Sequence, residues 1–169
     1  MRRAAFLDRD GTLNVKAAEH EYVTDPGGFR WLPGAIDGAV ALARAGFTLA
    51  VVSNQRGIAR GLVSAATLAA IEAEIQRALG PHGVRIEAFR YCPHELDEDC
   101  DCRKPRPGMI LELARTLEID LANSWMIGDS PSDVQAGRAA GTHTALIAAS
   151  GEAEIVGDSL SDVAAKIAV

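Results

Sequence analysis

Apolar residues fall along this chain in short solid runs, separated by longer stretches where they recur every three or four positions. "AAFL" (4–7) halts at Asp8, "FTLAVVS" (47–53) at Asn54, and "SWMIGD" (124–129) ends on Asp129. "IEAFRYC" (86–92) and "THTALIA" (142–148) have the same character. Runs this short, bounded by Gly, Pro or charge, predict strands buried on both faces of a parallel sheet. The intervening stretches predict helices. Pro33 opens one with Ile36, Val40 and Ala43 on a face, stopping at Gly46. Ser64 caps a second, with Leu68, Ile71, Ile75 and Leu79 at helical spacing and Gly80 as its end. Pro107 opens a third carrying Ile110, Leu113 and Leu117. Ser130 and Asp133 form an S-x-x-D capping pattern with Pro131 at the first helical position and Gly141 as the stop, and a last helix covers 160–168. This alternation predicts the α/β class: a doubly wound parallel sheet, with the ligand site beyond the carboxyl ends of its strands.

Composition narrows the picture. The chain has 169 residues, 48% of them hydrophobic, enough for one domain (1–169) with its own core. No internal repeat, low-complexity tract or linker divides it. The net charge of −6 and the lack of a basic stripe argue against a nucleic-acid partner. The apolar runs are far too short to span a bilayer, and "MRRAAFLDRDG" is too brief for a signal peptide, so no membrane partner is expected. Three clustered cysteines are not a disulfide framework for a secreted domain. The expectation is a cytoplasmic monomer acting on a small molecule.

The candidate chemistry sits at the ends of the strands. "FLDRDGTLN" places Asp8 and Asp10 just past the first run, with Gly11 and Thr12 suited to a sharp turn. Asp129 brings a third carboxylate from the fourth. Three acidic groups at one crevice repel unless a cation sits among them, and hard oxygen ligands favour Mg²⁺. Each aspartate taken alone also reads as turn or cap chemistry. Asp133 is explained by its capping role, with a direct metal role as the alternative. "VVSNQRG" offers the Ser53 hydroxyl and backbone N–H groups for phosphate oxygens, with Asn54, Gln55 and Arg56 beside it. Lys104 is a suitable counter-charge for a phosphoryl group. Arg56, Arg60 and Arg103 are candidates for a second phosphate or sugar hydroxyls, the plain alternative being surface charge.

The cysteines raise a separate question. Cys92-x-His94-x5-Cys100-x-Cys102 gathers every cysteine of the chain directly before Arg103 and Lys104. Three thiolates and an imidazole complete a tetrahedral set for Zn²⁺ and leave no open position, which predicts a structural site. The loop 92–102 has no apolar residue beyond Leu96 inside it to build a core, so metal bonds would replace packing there. The zinc would then act as a clamp, aiming Arg103 and Lys104 into the crevice. A redox pair in "CDC" is the alternative.

The order DxDGT, (S/T)N, K, GDxxxD from about residue 5 to 141 resembles the haloacid dehalogenase superfamily of phosphohydrolases. That resemblance implies a Rossmann-like fold and specific roles. Asp8 would be the nucleophile forming a phosphoaspartyl intermediate. Asp10 would protonate the leaving oxygen and then activate water. Asp8, the backbone carbonyl of Asp10 and Asp129 would hold Mg²⁺, while Ser53, Asn54 and Lys104 would stabilise the phosphoryl oxygens. "DRDGTLN", "SNQRGIARG", "CPH…CDCRKPRPGM" and "GDSPSD" resemble the zinc-loop branch of the superfamily, which acts on sugar bisphosphates or on histidinol phosphate. "GIARG" and "PGM" favour the sugar-bisphosphate side. Two departures stand out: "VKAAEHEYV" after Asn14 is longer than usual where substrate contacts are expected, and Ser53 replaces a threonine. The chain has no room for a large cap domain, so loops would set selectivity. A zinc-stabilised binding protein without catalysis is the remaining alternative, and the retained Asp8–Asp10 pair speaks against it.

Overall fold

The computed structural model describes residues 1–19 and 21–168; His20, within the long stretch after Asn14, and Val169 lie outside them. Six parallel strands form one sheet: β1 (Ala4–Leu7), β2 (Thr48–Asn54), β3 (Ala88–Cys92), β4 (Trp125–Gly128), β5 (His143–Ile147) and β6 (Ile155–Gly157), in the order β3-β2-β1-β4-β5-β6. Among the described residues five α-helices connect or cover them: α1 (Ala35–Arg44), α2 (Ala65–Leu79), α3 (Gly108–Leu117), α4 (Pro131–Ala140) and α5 (Leu160–Ile167).

The solid apolar runs are explained by the two layers. Side chains alternate across a strand, so each strand feeds both faces of the sheet. Ala5, Leu7, Leu49 and Val51 pack with Ala39 and Leu42 of α1, Ile71 and Ile75 of α2, and Leu160 and Val163 of α5. Ala4, Phe6, Ala50, Val52 and Met126 pack on the other side with Ile110 and Leu113 of α3 and Ala136 of α4. All four residues of β1 are fully buried, because a central strand covered on both faces has no solvent side.

Capping follows the local chemistry. The Ser64 hydroxyl accepts from the Thr67 amide, and Ser130 with Asp133 forms the capping box of α4. Gly80 ends α2, as its place after Leu79 implies; its φ is −51°, and a 3-10 turn carries the chain on to Gly83, whose φ is +69°. β6 was not foreseen. Its three residues fall in no solid apolar run, and they are recruited by backbone pairing with β5.

Connections from β1 run outward through β2 to β3, and the chain then crosses back to place β4 on the other flank of β1. The sheet therefore has its switch point between β1 and β4, where a crevice opens beyond the strand ends. No large cap covers it among the described residues, and no helix among them is long and apolar enough to cross a membrane.

Candidate active site

Asp8 leaves β1 while still in the ladder, its amide donating to the Ile127 carbonyl at 2.9 Å. The chain then folds tightly. The Arg9 carbonyl accepts from the amides of Thr12, Leu13 and Asn14 at 3.2, 2.8 and 3.2 Å. Gly11 sits at φ +90°, and a Cβ there would lie 2.1 Å from Asp129 Oδ2, so only glycine lets the β1 turn and the β4 carboxylate approach each other. A Cβ at Gly128 would likewise meet the Asp133 carboxylate at 2.2 Å.

Around this turn the carboxylates gather. Asp8, Asp129 and Asp133 each bring an oxygen within 4.8 Å of the others. Lys104 enters beneath them, almost wholly buried. Its ammonium lies 2.7 Å from Asp8 Oδ1 and 2.6 Å from Asp133 Oδ1, and donates to the Val52 carbonyl at 2.8 Å. One buried cation among three carboxylates leaves an excess of negative charge. Burial pushes the Asp8 carboxyl up to about 7; Lys104 opposes that rise, and Asp133 and Asp129 add to it. The Lys104 ammonium keeps its proton because Asp133 and Asp8 outweigh its own desolvation and hold it above its ordinary range.

Asp129 Oδ1 is buried without any hydrogen-bond partner, while Oδ2 faces the Lys16 ammonium at 3.4 Å. An orphaned, buried carboxylate oxygen beside two more carboxylates fits a hard divalent cation. Asp133 is less available. Its Oδ2 accepts from the Ser130 amide at 3.1 Å and hydroxyl at 2.9 Å, and Oδ1 is engaged by Lys104. The capping residue therefore has a second task, orienting the lysine, which its spacing from Ser130 did not reveal.

Asp10 points to the neighbouring side. Its Oδ1 accepts from Asn14 Nδ2 at 2.8 Å and Arg9 Nε at 3.2 Å, and its Oδ2 from Gln55 Nε2 at 2.8 Å. Gln55 also donates to the Ser53 hydroxyl at 3.0 Å, so its amide links the two strand ends. The Asn54 side chain grips the Lys104 peptide from both sides. Its Nδ2 donates to the Lys104 carbonyl at 3.1 Å, and its Oδ1 accepts from the Lys104 amide at 3.0 Å. Asn54 and Gln55 thus work on protein groups, and Ser53 lies buried at the floor.

The cysteine loop holds the other end of that lysine segment. Cys92 Sγ lies 3.6 Å from His94 Nδ1 and 3.7 Å from Cys100 Sγ, with His94 Nδ1 3.2 Å from Cys102 Sγ. Ligands at about 2.3 Å from a tetrahedral zinc stand about 3.8 Å apart, close to these separations. Arg106 pairs with Asp99 at 2.7 Å and donates to the Cys100 carbonyl at 2.7 Å. Arg103 does not pair with Asp97, Glu98 or Asp99. Its guanidinium donates to the His94 carbonyl at 3.4 Å and borders the crevice.

Two adjoining clefts result. The first, about 240 Å³, is bordered by Asp8, Asp10, Ser53, Lys104, Asp129 and Asp133. The second, about 320 Å³, lies under the stretch after Asn14 and is bordered by Tyr22, Gln55 and Arg56 among others. Asp10, Lys16, Asn54 and Arg103 border both. Arg56 is steadied by the Tyr22 hydroxyl at 3.3 Å and by Glu95 of the cysteine loop at 3.9 Å, while Arg60 pairs with Glu95 at 2.6 Å. Lys16 and Tyr22 were not foreseen; nothing in "VKAAEHEYV" marks them apart from its unusual length.

A parallel sheet with three carboxylates and a buried lysine at its switch point defines a haloacid dehalogenase-type hydrolase, and the Hydrolase_like family model, described as HAD-hydrolase-like, matches residues 101–154. The D-glycero-beta-D-manno-heptose-1,7-bisphosphate 7-phosphatase of Vibrio cholerae serotype O1 is 39% identical over 95% of this chain and 93% of its own. The enzyme of that name from Escherichia coli K12 is 40% identical over 88% and 80%. The D,D-heptose 1,7-bisphosphate phosphatase of B. bronchiseptica, solved with magnesium and phosphate, superposes with a TM-score of 0.88 at 35% identity, covering 98% of this chain and 97% of its own. The chain belongs to this family of heptose bisphosphate phosphatases, which are phosphoric monoester hydrolases.

Proposed function

We propose that the protein removes the 7-phosphate of D-glycero-beta-D-manno-heptose 1,7-bisphosphate through a phosphoaspartyl intermediate on Asp8. The observation that carries this reading is the pair of clefts that share Lys16 and Arg103. A substrate with a phosphate at each end can place one against Asp8 and Lys104 and the other near Arg56 and Arg103. The relatives point the same way and favour neither the histidinol-phosphate reading nor a non-catalytic binder.

In the first step an Asp8 oxygen attacks phosphorus. The bond from phosphorus to the sugar oxygen breaks, and Asp10 delivers its proton to that oxygen, releasing the alcohol. In the second step water attacks the phosphoaspartate and gives a proton back to Asp10. Phosphate leaves, and the Asp8 carboxylate is restored. Lys104 offsets the charge of the phosphoryl oxygens, and the Ser53 hydroxyl and backbone amides of the β2 loop donate to them. Mg²⁺ held by Asp8, the Asp10 carbonyl and Asp129 would supply positive charge at the phosphoryl group. Cys92, His94, Cys100 and Cys102 would hold a structural Zn²⁺ that stiffens the approach to Arg103 and Lys104.

We read the chain as a single domain (1–169) acting as a cytoplasmic monomer; sedimentation of the purified protein tests the monomer. Side-by-side phosphate release from the heptose bisphosphate, the heptose 7-monophosphate and histidinol phosphate, with Mg²⁺, tests the function. Preferred turnover of the bisphosphate is expected. Preferred turnover of histidinol phosphate would overturn the substrate assignment.

A further inference from the structure

Between the two aspartates of the β1 turn lies Arg9, the largest fully buried side chain among the described residues. A guanidinium completely removed from water requires a partner that repays its desolvation. Its partner is Asp10: Nε lies 3.2 Å from Oδ1, and one terminal nitrogen lies 3.2 Å from Oδ1 and 3.4 Å from Oδ2. The other terminal nitrogen is buried without a partner. On its far side the guanidinium approaches the face of Tyr91, whose ring centroid is 6.0 Å away. Tyr91 lies opposite Ser53 in the β2–β3 register and directly precedes Cys92. Arg9 therefore sits wedged between the acid/base carboxylate and the strand that enters the cysteine loop. It borders neither cleft, so it cannot touch substrate.

We propose that Arg9 is a positioning residue for Asp10, holding its carboxylate at the angle from which it serves the leaving group and the attacking water. This rests on the acid/base role of Asp10 proposed above. Asn14 and Gln55 each hold one oxygen of Asp10 through a single amide. Arg9 reaches both oxygens from one rigid planar fork, so it ties their positions together through a single charged group. Lysine keeps the charge but cannot reproduce the fork.

The test uses leaving groups of different proton demand. An aliphatic sugar phosphate needs a proton on its departing oxygen, whereas p-nitrophenyl phosphate departs as a stable phenolate without one. In Arg9→Lys and Arg9→Gln, kcat/KM for the sugar phosphate should fall at least tenfold more than for p-nitrophenyl phosphate, within the 10²–10⁴-fold scale of general acid catalysis. Hydrolysis of the intermediate also needs Asp10. Rapid quenching with p-nitrophenyl phosphate should therefore trap more phosphoenzyme in the variants than in wild type. Both substrates are measured on one preparation, so any unfolded fraction lowers both rates alike and cancels from their ratio. Equal losses for the two substrates, with no extra phosphoenzyme, would make Arg9 a purely structural residue and overturn the proposal. Absence of trapped phosphoenzyme in wild type and variants alike would instead sink the covalent mechanism on which it rests.

Discussion

Replacing Lys104 with methionine keeps an unbranched side chain one atom shorter and deletes its charge. The ammonium makes two close ion pairs and one backbone hydrogen bond, all away from water. Breaking a buried pair by removing one partner costs about 3–5 kcal/mol, because charges are left uncompensated. The Val52 carbonyl is also orphaned, which adds to the cost. The loss is partly relieved by proton uptake. Asp8 already titrates at about 7, far above its unfolded value, and losing the cation raises it further. A carboxyl raised on folding holds a proton that the unfolded chain gives up, so stability falls as pH rises toward the folded pKa, by about 1.4 kcal/mol per pH unit for one proton. In wild type that fall ends near pH 7, and in the variant it continues above. Without added Mg²⁺, the variant should therefore be less stable than wild type by about 3–5 kcal/mol at pH 8 and by less at pH 6. For a chain of this size the pH 8 figure corresponds to a Tm lower by roughly 6–20 °C. Urea titration followed by circular dichroism, with zinc left in place, reads both values. A difference under about 1 kcal/mol at pH 8, or one that shrinks as pH rises, would refute the account of Lys104 as the cation that holds the carboxylate cluster together.

Other outcomes follow from the same geometry. Asp8→Asn should abolish turnover while leaving the fold intact, since the amide cannot attack phosphorus; wild-type rates in that variant would exclude the covalent step. Apparent Mg²⁺ affinity, measured by calorimetry, should weaken as pH drops below about 7, because a proton then competes for Asp8; a flat profile from pH 5.5 to 8 would argue against Asp8 as a ligand. Brief treatment with dilute EDTA should stop activity, and Mg²⁺ should restore it. Elemental analysis should still find about one zinc per chain, as a closed thiolate site releases its ion slowly. Arg103→Ala should reduce kcat/KM for the sugar bisphosphate by roughly 1–3 kcal/mol more than for a small phosphate ester; equal losses, or lost zinc, would assign Arg103 to the loop.

The strands that carry chemistry were legible because burial on both faces writes an unbroken apolar run ending on a polar residue, as at Asp8, Asn54 and Asp129. β6 was not, since two half-buried residues and a buried glycine at a sheet edge carry no period. Gly80 marked the end of α2, but no local pattern marked the 3-10 turn that follows it to Gly83. Within the site, residue type pointed to Asp8, Asp10, Asp129 and the cysteine cluster. The contacts between them were invisible. Asp133 meets Lys104 across 29 positions, and Asn54 meets its backbone across 50. Such pairings depend on which strand ends lie side by side, and no local pattern encodes that. Arg9 was hidden for another reason: an arginine between two aspartates reads as surface charge until the turn closes over it.

The amide of Asp8 still belongs to the sheet, donating to Ile127 on the neighbouring strand. It lies at the end of the most deeply covered strand, so its hydrogen should exchange with solvent only when the whole molecule opens. The stretch from 15 to 19 has no regular structure and lies mostly in water. The proposed nucleophile thus sits in the slowest-opening part of the protein, while Lys16, Ala17 and Ala18 at the edge of the second cleft sit on irregular chain. On the proposed function, substitutions there would change which sugar is preferred without loosening the carboxylate proposed to attack phosphorus. The chain is built so that its selectivity can drift while its chemistry stays fixed.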